Sequence, residues 1–429
     1  MEENLKKVLR TPEVLLIGVN GVVGGGIFLL PGTVAKLAGN YAIWAYLIAG
    51  IIAILIGLSF AEASSMYTKT GGAMVYTEAA MGKTVSFTVG WMSWLTYVAG
   101  WAALSNGFVS YLSSLFPSIA PLRTVIIIVV IGLLCILNTF GVKKGSGTIV
   151  FFSIAKLIPL LLLIIIGLMH VTGSSTTGVG AIGGHFGQAV LVLIFAYGGF
   201  EMAAIPTGEM VNPRKTVSVA VIGTLIGVTL FYMFIQVAAS HLDPAIAVAK
   251  APLAAAGKAM FVGGLTVMTI GAVLSIFGTK SGVALAAPRQ LYALGRDGGL
   301  PRVISAIYPS QQTPVVAIWV TGILVMIAAT TGTFNSLVLL NVAARVYEYL
   351  AVCVSVVVLR FTARDAERPF RLPFGIVLPV VAAVLCVWLL AQEGGKQLLA
   401  ALLALVIGLI LYTLTRLFQT REPAGDFDS

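Results

Sequence analysis

Charge is scarce in this chain. Only 10% of its 429 residues are Asp, Glu, Lys or Arg, 59% are hydrophobic, and the mean hydropathy is +1.01. A soluble domain with so little charge would expose apolar patches far larger than soluble monomers carry, so a water-soluble globular fold is excluded. Cysteine is scarcer still. Cys135, Cys353 and Cys386 form an odd, widely spaced set inside apolar runs, which argues against a disulfide framework. The three histidines, His170, His185 and His241, are too scattered to make a ligand cluster, so no metal is expected. No nucleophile–base pair or phosphate loop is legible either, which argues against an enzyme and against a cofactor.

What is present is a series of apolar runs of roughly 17 to 25 residues, the length of a membrane span. Twelve are legible, near 14–38, 42–66, 87–115, 123–140, 148–169, 188–209, 216–239, 259–287, 314–331, 334–359, 372–391 and 397–418. The expected fold class is therefore an all-α membrane protein with twelve transmembrane helices. The first 13 residues are polar and no small-residue cleavage site follows the first run, so no removable signal peptide is expected. Eighteen cationic residues fall on the side of the amino terminus, five on the other side and three within spans. That bias predicts both termini in the cytoplasm, in a multi-pass protein of the cytoplasmic membrane. The net charge of +10 then follows from topology and from contact with anionic membrane lipids, and no nucleic-acid partner is implied.

Two spans are interrupted. Gly24-Gly25-Gly26 stands inside the first run, and each glycine costs roughly 1 kcal/mol of helix propensity relative to alanine. Phe195-Ala196-Tyr197-Gly198-Gly199-Phe200-Glu201 interrupts the sixth. Backbone unpaired at membrane depth is tolerated only where it lines a cavity or a ligand, or is buried in protein. Because the breaks recur with a period of five spans, an odd number, the second five-span unit enters the membrane in the opposite sense. The expected architecture is a five-plus-five inverted repeat with broken helices 1 and 6, and matching breaks mark a shared binding site. Residues 1–170 form the first repeat, 171–360 the second, and 361–429 the last two spans with a cytoplasmic tail.

The residues at the breaks suggest what binds. Gly24, Gly25 and Gly26, followed by Ile27, begin a half-helix whose free N–H groups and positive dipole end suit an anionic oxygen. The alternative is a close helix crossing, which small residues also permit. Carbonyls of Val22 and Val23 before the break, and of Phe195 and Ala196 in the sixth span, can accept from an ammonium. Phe195 or Tyr197, beside Gly198, can cover it with a ring. An anion cradle beside free carbonyls describes an α-amino acid. Lys156 and Glu201 are ionisable groups in apolar spans, where such groups are functional hypotheses by default. Lys280 has no legible role. Arg345 and Glu348, three residues apart on one helix face, predict a local ion pair. Glu62 and Glu78 flank the end of the second span and predict structural or gating salt bridges.

Four motifs in order resemble the amino acid-polyamine-organocation superfamily of transporters. These are Val23-Gly24-Gly25-Gly26-Ile27-Phe28, the stretch from Ala61-Glu62 through Gly71-Gly72-Ala73 to Tyr76, Phe195 to Glu201 with Glu209, Asn212 and Pro213, and Arg289 to Gly298. Two positions depart from the pattern, with Gly25 in place of the usual hydroxyl residue and Thr68 where a proline is common. The resemblance implies a secondary transporter carrying an L-amino acid by alternating access. A polyamine or cationic amino-acid carrier is the alternative. By the same resemblance, Glu201 matches a sixth-span glutamate tied to proton sensing or cation recognition, though a structural acid holding the broken helix reads equally well. Lys156 matches a fifth-span lysine standing where sodium-coupled relatives bind their ion, with Thr279 and Ser281 as hydroxyls opposite it. That substitution implies sodium independence, with proton symport or exchange as the coupling.

Overall fold

A computed structural model describes residues 10–67, 72–141, 146–170, 184–201, 210, 213–308 and 312–419. Lys6, Lys7, Thr68, Lys69, Gly71, Lys143, Lys144, Glu209, Asn212 and Arg421, used in the reading above, lie outside the described residues, as does the sixth span beyond Glu201. The described residues fold into helices joined by turns and loops, with no strand; isolated bridges occur between Tyr308 and Thr313 and at Met210. Helices satisfy their own backbone groups, which is what apolar surroundings demand.

The helices are α1 (Thr11–Val22), α2 (Gly26–Ala38), α3 (Ala42–Met66), α4 (Ala73–Met81), α5 (Lys83–Leu115), α6 (Arg123–Thr139), α7 (Ser146–Met169) and α8 (Phe186–Tyr197). They continue with α9 (Pro213–Leu242), α10 (Pro252–Met260), α11 (Gly264–Arg296), α12 (Val315–Thr331), α13 (Phe334–Thr362), α14 (Val377–Ala391) and α15 (Gly395–Gln419). Six stretches are long and apolar enough to cross a membrane: Gly26–Met66, Pro117–Thr139, Val219–Leu242, Gly264–Arg296, Phe334–Thr362 and Gly395–Phe418. Helix α3 occupies the limits expected for the second run. The short helices α4 and α10, nine residues each, were not legible as elements because neither is long enough to carry a periodic signal.

Burial separates the centre of the molecule from its rim. Of its apolar window, α13 buries 61%, whereas α6 buries 22% and α15 17%. Val125, Val129 and Leu133 on α6 and Leu399, Leu403 and Ile407 on α15 are exposed, which is the surface a bilayer would cover. At the centre, α5 lies between α11 and α13, α2 packs on α8, α1 on α9, and α3 on both α8 and α9.

The expected interruption of the first span is present, and α8 ends where the second was expected, against it. Helix α1 ends at Val22 and α2 starts at Gly26, while α8 ends at Tyr197. A Cβ on Gly26 would stand 3.1 Å from the Ala196 Cα, and one on Gly199 would stand 2.3 Å from the Gly21 carbonyl oxygen. Gly199 also has φ +110°, which L side chains rarely adopt. Backbone touches backbone on both sides, so the glycines are there because the two chains approach too closely for side chains.

One end of α3 is tied to α13 by a buried carboxylate. Glu62, with 1% of its side chain exposed, accepts two hydrogen bonds from the Arg360 guanidinium and one from the Leu372 N–H at 2.7 Å, with Arg368 Nε at 3.8 Å. Ser65 Oγ accepts from the Phe370 N–H at 3.2 Å beside it. This bears out a structural salt bridge for Glu62.

Two stability predictions follow from these contacts. Arg360→Met leaves a buried carboxylate short of its main partner and should lower stability by about 3 kcal/mol, whereas Glu62→Met/Arg360→Met together should cost less than the single change. Thermal unfolding in detergent of both variants checks it. Gly199→Ala should cost about 2 kcal/mol or more, because it combines a positive φ with a backbone clash. Gly227→Ala, where a Cβ meets nothing within 4 Å, should be close to neutral in the same assay.

Candidate functional site

The site is assembled from α1, α2, α5, α8, α9 and α11 around the two interruptions. Val22, Val23, Gly24, Gly25, Gly26 and Ile27 are all buried. The Val23 N–H still reaches Val19 at 2.8 Å, as the last helical bond of α1. No carbonyl among the described residues accepts from the N–H groups of Gly24, Gly25 or Gly26. Three adjacent buried donors without acceptors are costly unless something else supplies an oxygen. Phe28 N–H returns to the Gly25 carbonyl at 3.2 Å and restarts the helix.

The walls around these donors come from α5 and α11. A Cβ on Gly25 would lie 2.7 Å from Leu104 Cδ2 and 2.9 Å from Ile276 Cγ1, and one on Gly24 would lie 3.1 Å from Thr279 Oγ1. The departure at position 25 thereby has a steric account, since a hydroxyl residue there would collide with Leu104 and Ile276.

The carbonyls expected to face an ammonium are joined by a residue that sequence reasoning missed. The Tyr232 hydroxyl, from the middle of α9, lies 3.0 Å from the Val22 carbonyl oxygen and 3.2 Å from that of Ala196. One phenolic proton is thus shared between the two interrupted helices. Tyr46 sets its ring edge-on to Tyr232 at 6.2 Å, and Tyr197 sits 5.6 Å from Tyr232 and donates its hydroxyl to the Tyr46 carbonyl at 2.9 Å. Tyr197 is therefore oriented toward α3. Phe195 lies against Gly26 and meets Phe334 of α13 edge-to-face at 6.4 Å. The available signal for Tyr232 was a phenol in a long apolar helix, whose hydroxyl has to find an acceptor.

The interior charges are paired differently from expectation. Arg345 bonds Glu201 Oε1 at 2.9 Å, a contact 144 residues apart in sequence, and not the local acid Glu348. The other carboxylate oxygen accepts from the Gly199 N–H at 2.9 Å and the Tyr349 hydroxyl at 3.2 Å. Gly198 lets this happen, because a Cβ there would stand 2.0 Å from Arg345 Nη1. Phe60, Phe200 and Tyr349 pack ring to ring beside the pair at 5.4 to 5.8 Å. The helical spacing of Arg345 and Glu348 was a correct inference about a shared face, but a carboxylate from the sixth-span turn reaches the guanidinium.

Lys156 does bridge to the first interrupted helix, though one turn earlier than expected. Its Nζ donates to the Asn20 carbonyl at 3.0 Å and to Asn20 Oδ1 at 2.6 Å, not to the carbonyls of Val22 to Gly24. Thr279 and Ser281 do not serve it. Their hydroxyls return to the Ser275 and Phe277 carbonyls of their own helix at 2.9 and 2.8 Å, the common fate of a hydroxyl within an apolar helix. A separate groove lined by Leu58, Val219, Ile222, Gly223, Phe370 and Pro373 is apolar and holds no titratable group, which marks it as a seam between helices.

Comparison with known proteins agrees with this architecture. Residues 9–412 match the family model described as amino acid permease. The serine/threonine exchanger SteT of Bacillus subtilis (strain 168) is 29% identical over 95% of this chain and 96% of its own. The branched-chain amino acid permease BcaP of the same organism is 26% identical over 96% of this chain and 94% of its own. Cationic amino acid transporter 4 of Mus musculus is 28% identical over 84% of this chain and 61% of its own. With the match running through both interrupted helices and nearly all of the described residues, the chain belongs to the amino acid permease family.

Proposed function

We propose that this protein carries an L-amino acid across the cytoplasmic membrane by alternating access, independently of sodium and coupled by proton symport or exchange. In this reading the chain crosses the membrane twelve times, α1 with α2 forming the first crossing, and is built as a five-plus-five inverted repeat with both termini in the cytoplasm. The observation that carries the proposal is the run of three buried N–H groups at Gly24, Gly25 and Gly26, without acceptors among the described residues, beside the carbonyls of Val22 and Ala196. Anion donors next to ammonium acceptors are what an α-amino acid needs. Ile27, Phe195, Tyr197 and Gly198 complete the walls.

Tyr232 gives the site a moving part. Its hydroxyl spans both interruptions through the Val22 and Ala196 oxygens, the same oxygens a substrate ammonium would use. An arriving ammonium competes for those acceptors, and binding would exchange a phenol bridge between the half-helices for a substrate bridge. The occupancy of the site and the contact between the two repeats are thereby coupled.

The rival reading, a polyamine or cationic amino-acid carrier, needs Glu201 as a cation ligand. Arg345, Tyr349 and the Gly199 N–H already occupy both of its oxygens, which supports the amino-acid reading and a structural role for this acid. A diamine would also leave the three glycine N–H groups without an acceptor.

Lys156 reads as a tethered cation. Its bonds to Asn20 tie α7 to the last turn of α1, immediately before the interruption. Burial disfavours the charged ammonium and the Asn20 oxygens favour it, so movement of α1 would shift the balance and release or take up a proton.

Two measurements test the proposal. Removing the carboxylate charge of the substrate, by esterification or decarboxylation, should weaken binding by about 2 kcal/mol, or about 30-fold, because the cradle's donors go unmet. Competition by putrescine as strong as that of any amino acid would instead favour the polyamine carrier. Uptake into proteoliposomes should proceed equally with and without sodium, and Lys156→Ala should lower turnover by about 10- to 100-fold, more than it weakens affinity, through the loss of charge-assisted bonds. Strict sodium dependence would reject the tethered cation, and indifference to an imposed pH gradient would leave Lys156 as a fixed strut in an exchanger.

A further inference from the structure

Among the described residues two ammonium groups are enclosed in the helical interior, and only one of them meets oxygen acceptors there. Lys156 is held by Asn20. Lys280 of α11 is 1% exposed, and its Nζ lies over the face of Phe108, 4.3 Å from the ring centroid. No oxygen among the described residues accepts from it. A ring face is a real but partial partner for a desolvated cation, and buried charge ordinarily requires an opposite charge with hydrogen bonds. Among the described residues no carboxylate forms an ion pair with it, and Glu62 and Glu201 are already held by Arg360 and Arg345.

The position of Lys280 ties it to the glycine cradle. Thr279, its neighbour, faces Gly24, and Ile276, one turn away on the same helix, faces Gly25. Leu104 also closes on Gly25 from α5, and Phe108 lies one turn beyond Leu104. Helical side chains lean toward the start of their own helix, so the Lys280 stem runs back toward the level of Ile276 before its ammonium reaches Phe108. Phe277, 6.4 Å from the Phe108 ring, packs at the same place. Phe108, under the ammonium, stands one helical turn, about 5.4 Å along α5, from Leu104 at the cradle.

We propose that Lys280 is the specificity-determining residue of this site, receiving the side-chain carboxylate of an acidic amino acid whose α-carboxylate rests on Gly24, Gly25 and Gly26. The inference rests on the reading of the cradle given above and narrows it to a substrate class. The side chain of aspartate or glutamate spans about one helical turn, and its carboxylate gives the ammonium the charged acceptor that Phe108 cannot. The same cation repels lysine and arginine.

Thermal unfolding of the purified full-length protein tests this, since a ligand that binds only the folded state raises the midpoint, and at one ligand concentration the shift grows with the logarithm of its affinity. The panel is L-aspartate, L-glutamate, L-glutamine, L-serine, L-valine and L-lysine. Glutamate or aspartate should bind at least about tenfold more tightly than glutamine, which has nearly the same shape without the charge. Lys280→Met should bring glutamate level with glutamine, and Lys280→Arg should keep the preference. If Lys280→Met does not fold, the acid-to-amide ratio in the natural protein and in Lys280→Arg still decides. Neutral amino acids binding as tightly as acidic ones would overturn the role of Lys280 and leave the amino-acid reading standing. A panel in which no amino acid raises the midpoint would overturn both.

Discussion

Everything at the centre of this protein follows from the contact between two interrupted helices. An open backbone surrounded by apolar side chains must be covered by another backbone, by a polar side chain or by a ligand. Here the turn after α8 lies against the end of α1, and the start of α2 lies against Ala196, with glycine at each point of closest approach. The carbonyls left over at Val22 and Ala196 meet the Tyr232 hydroxyl. The N–H groups left over at Gly24, Gly25 and Gly26 meet no carbonyl among the described residues, and that asymmetry turns a structural defect into a candidate anion site. A close helix crossing, the bland account of three glycines, explains Gly26 and Gly199 well and leaves the free donors unexplained.

Charge inside the bundle obeys the same constraint. Glu62 is clasped by Arg360 and the Leu372 N–H, Glu201 by Arg345, Tyr349 and the Gly199 N–H, and Lys156 by Asn20. Apart from the Gly199 N–H, these partners come from elements far apart in sequence, and each ties one helix to another. The Glu201 cluster fixes the turn after α8 to α13, and Lys156 fixes α1 to α7. Removing one partner of such a pair costs far more than the pair contributes, because the other charge stays buried. Such pairs therefore act as registers that hold helices in place more than as sources of net stability. Lys280, which among the described residues meets an aromatic face and no oxygen, stands apart from that pattern.

Membership in the amino acid permease family rests on most of the chain, but the named relatives handle substrates as different as serine, branched-chain and cationic amino acids. Specificity within such a family has to come from the few side chains that reach the cradle from α5, α8 and α11. In this protein the larger side chains nearest the three glycines are Leu104, Phe195, Ile276 and Thr279, and Lys280 follows Thr279 on α11.

The helical class, the positions of the long apolar helices, the interruption after Val22 and the end of α8 near Tyr197 were determined by the sequence alone. They depend on local quantities: run length, helix propensity and the cost of glycine, all of which act within a few residues. The unusual charges were equally legible as exceptions in apolar runs. Their partners were not. Arg345 shares a helix face with Glu348, yet it pairs with Glu201, 144 residues away, because the glycine pair at 198–199 lets the sixth-span turn approach α13. Lys156 reaches Asn20 and not the carbonyls nearer the interruption, a difference of one helical turn that only the relative height of α7 and α1 decides. Tyr232 looked like any other phenol in an apolar helix until packing set its hydroxyl between two carbonyls from different interruptions. Periodicity tells which face a residue occupies, but the register between helices is set by side-chain packing over the whole interface, and no local pattern encodes it.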